Sequence, residues 1–112
     1  MMSDTNTAEP LRKQEEIPPG HFIYIVQCSN GTLYTGYTTN VEKRVAVHNA
    51  GKGAKYTRAH LPVILLASWS FSSKSEALRA EYAIKRLSRA QKKHLVEQTP
   101  QGALPDWVVS SC

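Results

Sequence analysis

Among the side chains of this 112-residue chain that can move protons or hold charge, five are singled out by their order and spacing: Tyr24, Tyr34, Arg44, His48 and Glu81. A phenol and an imidazole exchange protons. A guanidinium grips two oxygens of an anion with its planar fork, and a carboxylate binds a hard cation. Taken singly, each has an ordinary structural reading as well. Tyr24 lies in an apolar run and suits a core. Arg44 and His48 are four residues apart, so they share one helix face as a solvated pair would. Glu81 precedes Lys85 by four residues, the spacing of an intrahelical ion pair. The set is distinguished by its order and spacing along the elements that must position it.

Residues 1–20 are polar, lack a period and end in Pro18-Pro19-Gly20, and are expected to form a flexible tail. The foldable segment is 21–97. Pro100, Gly102 and Pro105 make 98–112 a loose C-terminal tail by expectation, although Trp107-Val108-Val109 is apolar enough to dock. His21 to Cys28 is rich in aromatic and β-branched residues and reads as a strand. Ser29-Asn30-Gly31 is a turn, and Thr32 to Thr38 returns as the second strand of a hairpin. A two-residue turn would put Tyr24 and Tyr34 on opposite faces of the sheet. A three-residue loop, with Gly31 in the left-handed position, pairs Cys28 with Thr32, Val26 with Tyr34 and Tyr24 with Gly36. Both tyrosines and the glycine then share a face, with open space above Gly36; the second register is the one predicted.

A capping box at Thr39 and Glu42 predicts a helix from Val41 to about Asn49 that stops near Gly51. The basic run Gly51 to Arg58 reads as a loop that can tighten into a helical turn. Pro62 to Phe71 reads as a central strand. A second box at Ser73 and Glu76 starts a helix to about Leu87, with Ala77, Glu81 and Lys85 along one stripe, and Ser88 with Gln91 opens a short helix after it. The expected fold class is therefore α+β, three short strands flanked by helices.

The charge is +5 overall, but residues 21–97 alone carry +8, twelve Lys and Arg against four Glu. A basic domain between mildly acidic ends suits a polyanionic partner. The two cysteines, Cys28 and Cys112, form no Cys-x-x-Cys or Cys/His pattern, so zinc is not implied, and a disulfide between a strand and the last residue is not expected. No apolar run suits a membrane span or a signal peptide, and a cytoplasmic location is the expectation. Helix-turn-helix, zinc-finger and aromatic stacking motifs are absent, so sequence-specific recognition is not supported. Nothing in the residues sets an oligomeric state.

Phe22-Ile23-Tyr24, then Tyr34-Thr35-Gly36, then Arg44 and His48, then Glu81 in a late helix resembles the pattern of the GIY-YIG nuclease superfamily. The stretch from His21 to about Leu95 is similar to its small, stand-alone bacterial members, including the runs Gly51 to Arg58 and Ser75 to Lys85. Phe22 stands where the first glycine is usual and Thr35 where the central isoleucine is. The asparagine that many members carry after the catalytic helix has no counterpart, since Leu87-Ser88-Arg89 follows here. The resemblance implies a three-stranded antiparallel sheet with the site on one face. It implies catalytic roles for Tyr24, Tyr34, Arg44, His48 and Glu81, with Gly36 structural in the site. Glu81 would bind one divalent ion, Mg2+ or Mn2+, and the activity would be metal-dependent endonuclease cleavage of nucleic acid, DNA ahead of RNA, in repair or processing.

The chemistry is consistent with those roles. Attack on a phosphodiester builds negative charge on the non-bridging oxygens, which a metal on Glu81 and the Arg44 guanidinium would stabilise. Tyr24 or His48 would take the proton of the attacking water. Lys52, Lys55, Arg58 and Lys85 are the expected phosphate-backbone contacts, which position a strand without reading its bases. A nucleic-acid-binding domain without catalysis is the alternative, and an interaction module that keeps the matching residues as relics is a third.

Overall fold

The computed structural model describes residues 20–110. The expected flexible tail therefore lies, except for Gly20, outside the described residues, as does Cys112. Two strands, β1 (His21–Gln27) and β2 (Leu33–Thr38), are followed by α1 (Val41–Asn49) and the single turn α2 (Lys55–Arg58). Next come β3 (Ile64–Phe71), α3 (Lys74–Lys85) and α4 (Arg89–Gln98), then the two-residue β4 (Gln101–Gly102) and α5 (Asp106–Ser110). The sheet order is β2-β1-β3-β4.

The hairpin takes the three-residue register. Val26 pairs with Tyr34 and Tyr24 with Gly36. The loop is closed by Cys28 N–H on Thr32 C=O and Gly31 N–H on Cys28 C=O, both at 2.9 Å. Gly31 sits at φ +89°, a conformation that L side chains rarely adopt. Alternation then sorts the strand residues between two cores. Tyr24, Val26 and Cys28 join Val63 on one face, with Tyr34, Val41, Val45 and Leu61 packed against them under α1. Ile23, Ile25, Ala67 and Trp69 line the other face. They meet the alanine stripe Ala77, Ala80 and Ala83 of α3, together with Ile84, Leu95 and Val108.

The sheet differs from the expected three antiparallel strands. It has four and is mixed, because β4 pairs parallel to β3 through Ser68–Gln101 and Trp69–Gly102. The described part of the expected loose tail, from Thr99 to Val108, is accordingly packed against the domain. Trp69 is buried, and its indole N–H needs an acceptor, which the Thr99 carbonyl supplies at 2.8 Å. Ser68 N–H donates to Pro100 C=O at 3.0 Å, Gly102 turns the chain at φ +96°, and Val108 is fully buried.

The helix starts also depart in detail. Asn40, not Thr39, caps α1 by accepting from Lys43 N–H at 3.0 Å, because the Thr38 hydroxyl already holds Asn40 N–H and shifts the turn on by one residue. Ser73 caps α3, but the Glu76 carboxylate accepts from the Ser72 hydroxyl instead of reaching back. Ser88 and Gln91 make the full reciprocal box on α4.

Candidate active site

β1 presents Tyr24 and β2 presents Tyr34 on the sheet face that α1 covers, and α1 turns Arg44 and His48 toward them. Tyr24 is almost wholly buried, and its hydroxyl lies 2.8 Å from His48 Nε2. Arg44 Nε donates to the same hydroxyl at 3.4 Å. Both tyrosine rings meet the imidazole edge-on, with centroids at 5.8 Å for Tyr24 and 5.6 Å for Tyr34. The space above Gly36, expected to be open, is filled by the Tyr24 phenol; a Cβ on Gly36 would run into that ring. Gly36 is therefore what allows Tyr24 to lie across β2 and reach His48.

The far side of the imidazole is held by residues not singled out from the sequence. His48 is fully buried, and its Nδ1 lies 2.8 Å from the Thr57 hydroxyl, which is also buried and donates to the Ala54 carbonyl at 2.9 Å. Gly51 leaves α1 at φ +80°, and the chain returns over the ring so closely that a Cβ on Gly53 would collide with Nδ1. Asn49 fastens the end of α1 to the start of β3, accepting from Val63 N–H at 2.7 Å and donating to Val63 C=O at 3.1 Å. The sequence signal for Thr57 and Gly53 was the run Gly51 to Arg58. Its lysines and arginine supply charge at the surface, while its glycine and threonine do the positioning.

Two opposed shifts mark the pair. Burial pushes the Tyr24 phenol up, against the hydrogen bond and charge of Arg44, with the charges of Tyr34 and Glu81 adding to the rise. Burial, and then Arg44, push His48 down, so it is neutral at pH 7. Glu81 therefore reaches the tyrosine through its field, while its carboxylate is held 3.1 Å from Lys85 Nζ and is one-fifth exposed. Among the described residues, no group of three or more His, Cys, Asp and Glu is placed to hold a metal ion. Lys52, Lys55, Arg58 and Lys85 are exposed. No hydrogen bond or ion pair joins them to Tyr24 or His48 among the described residues; Lys85 is engaged with Glu81 instead.

A buried phenol hydrogen-bonded to an imidazole and an arginine, on a β-hairpin braced by a helix, is an arrangement chemically able to pass a proton. The GIY-YIG catalytic domain profile matches residues 20–94, and the chain belongs to that family. Within it, the chain is similar to the UPF0213 proteins, small stand-alone members. It is 60% identical to that of Staphylococcus haemolyticus over 78 residues, 70% of this chain and 95% of the relative. It is 64% identical to that of Halobacterium salinarum over 75 residues, 67% of this chain and 97% of the relative. The solution NMR structure of the UPF0213 protein BH0048 from Bacillus halodurans superposes with a TM-score of 0.50 at 44% identity, covering 82% of this chain and 94% of that one.

Proposed function

We propose that this protein is a metal-dependent endonuclease that hydrolyses phosphodiester bonds in nucleic acid, DNA ahead of RNA. The observation that carries the reading is the hydrogen-bonded Tyr24–His48 pair with Arg44 on the phenol, in a member of a family of catalytic domains. Tyr24 is the general base. As it takes a proton from the attacking water, its own proton passes to His48 Nε2, and water protonates the departing oxygen. This assigns to Tyr24 a proton transfer that its raised pKa would otherwise forbid, because the phenol never has to stand as a free phenolate. Arg44 offers its remaining N–H groups to the phosphate, and Tyr34 backs the imidazole. Lys52, Lys55, Arg58 and Lys85 neutralise backbone phosphates on either side, and a cytoplasmic setting with a role in repair or processing fits such an enzyme.

The donor set suits one magnesium or manganese ion. A lone carboxylate that is partly exposed leaves room for a hard cation to keep waters and take phosphate oxygens. Glu81 would hold the ion, which supplies positive charge against the oxygens that become negative. Lys85 must then release Glu81 and turn to the substrate. The competing reading, a binding domain that does not cut, is favoured by that ion pair, since a carboxylate already neutralised by Lys85 has a reason to be there without metal.

A panel of DNA and RNA duplexes, single strands and branched junctions, incubated with Mg2+ or Mn2+, separates the two. Cleavage by wild type that vanishes with EDTA and in Glu81→Ala is the expected result. Binding that weakens steeply with salt, without any cutting across the panel, would leave the binding domain as the better reading.

A further inference from the structure

We infer that Thr57 is a positioning residue: backed by the Ala54 carbonyl, its hydroxyl holds His48 in the one neutral tautomer that can receive the proton of Tyr24. The consequence for rate rests on the nuclease reading, but the tautomer is a property of the free protein. Hydrogens along the chain of contacts Tyr24, His48, Thr57, Ala54 fit in one order. The last link runs only one way, because a carbonyl has no hydrogen to give; the Thr57 hydroxyl donates to Ala54 C=O at 2.9 Å. With its one hydrogen spent, Thr57 Oγ1 accepts from His48 Nδ1 at 2.8 Å. A neutral imidazole with hydrogen on Nδ1 has a lone pair on Nε2, and the Tyr24 hydroxyl 2.8 Å away donates to it.

The opposite tautomer fails the same count. If Nε2 carried the hydrogen, it and Arg44 Nε would both donate to the Tyr24 oxygen. The phenol hydrogen would then have no acceptor among its contacts, in a side chain that is almost wholly buried, and such a loss is costly. Nor is there a second rotameric escape for the ring. His48 is fully buried between Tyr24, Tyr34 and the Gly53 backbone, which passes so close to Nδ1 that even a Cβ would not fit. The neutral state on which this rests agrees with the downward push that burial and Arg44 give the imidazole. Thr57 thus decides which way protons run at Tyr24 without touching substrate, as the second partner of an imidazole does in other proton relays.

The test is two-bond 1H–15N correlation spectroscopy of the imidazoles in 15N-labelled protein, with the four histidines told apart by a His48→Gln variant. In wild type, His48 is expected to carry its hydrogen on Nδ1. Thr57→Val, which keeps the shape and removes the hydroxyl, should mix or reverse the tautomers, and Thr57→Ser should restore the wild-type pattern. On a substrate that wild type cleaves, Thr57→Val should lower kcat about a hundredfold with KM unchanged, within the range general acid–base groups supply, and Thr57→Ser should recover it. A hydrogen on Nε2 in wild type overturns the proposal. So does a valine variant that keeps the Nδ1 tautomer, or one that loses it and still cuts at the wild-type rate. Should Thr57→Val not fold, the wild-type spectrum alone decides the tautomer. If no substrate is ever cut, the nuclease reading fails while the spectra still answer for Thr57.

Discussion

Tyr24 and His48 are pushed in opposite directions from their ordinary values, the phenol up and the imidazole down, and both shifts favour an uncharged pair in the folded protein. Neighbouring groups driven apart in this way are what proton-transfer sites use at neutral pH. The shift of His48 has a consequence for stability. Above its ordinary value of 6.5 the imidazole is neutral in both folded and unfolded chains, and its contribution to stability is fully present. As pH falls below 6.5 the unfolded chain takes up a proton that the folded site resists, and stability is lost until the lower folded value is passed. Thermal melting between pH 7.5 and pH 5 should therefore show wild type losing stability faster on acidification than His48→Gln. Parallel pH curves for the two proteins would mean that burial does not depress His48.

At the scale of the elements, the hairpin was legible because Tyr24, Tyr34 and Gly36 share a face in only one of the two registers that the turn allows. Gly31 at φ +89° fits either turn, and it is the strand pairing that shows which one forms. The helix over Val41–Asn49 was legible from its period and from Gly51, whereas its cap was not. Thr39 and Asn40 are both good caps, and the choice depends on the Thr38 hydroxyl, a contact across the turn that spacing does not reveal. Tyr24, Arg44 and His48 were likewise legible as a set, but the support under His48 was not. That Gly53 must lack a side chain follows only from how closely the returning loop crosses the imidazole.

One strand position works against its element. Thr35 faces the α3 side of β2, is buried, and its hydroxyl has no hydrogen-bond partner among the described residues. Thr35→Val keeps the shape and removes the unpaired group, so it should stabilise the fold by about 1 kcal/mol. For a domain of this size that raises Tm by about 4–8 °C. A lower Tm in the variant would show that the hydroxyl has a partner, such as ordered water, whose loss outweighs the gain.

For the whole molecule, the family segment and the physical core do not end together. The profile match stops at residue 94, yet the larger core draws on Leu95 and Val108, and Trp69 takes its indole acceptor from Thr99. Prolines and a glycine suggested a loose end from 98 because they break regular elements. Here they shape the return that lays β4 beside β3 and brings α5 onto α3. What the local pattern lacked was the partner: the buried Trp69, thirty residues back in the chain, whose indole N–H needs an acceptor. The apolar run Trp107-Val108-Val109 is itself too short to show a period. The dependence is measurable. Val108→Ala removes two buried methyl groups and should cost about 2 kcal/mol, or a Tm lower by about 10 °C. Ending the chain after Gln98 also removes β4 and the Thr99 acceptor, and should lower Tm further and expose the Trp69 face to dye binding. Tyr24, Tyr34, α1 and α2 lie on the other face of the sheet, so the Tyr24–His48 contact should survive Val108→Ala. If the shortened chain instead melts like the full one, the core closes at the end of α4, and everything after it is an appendage to a domain already complete.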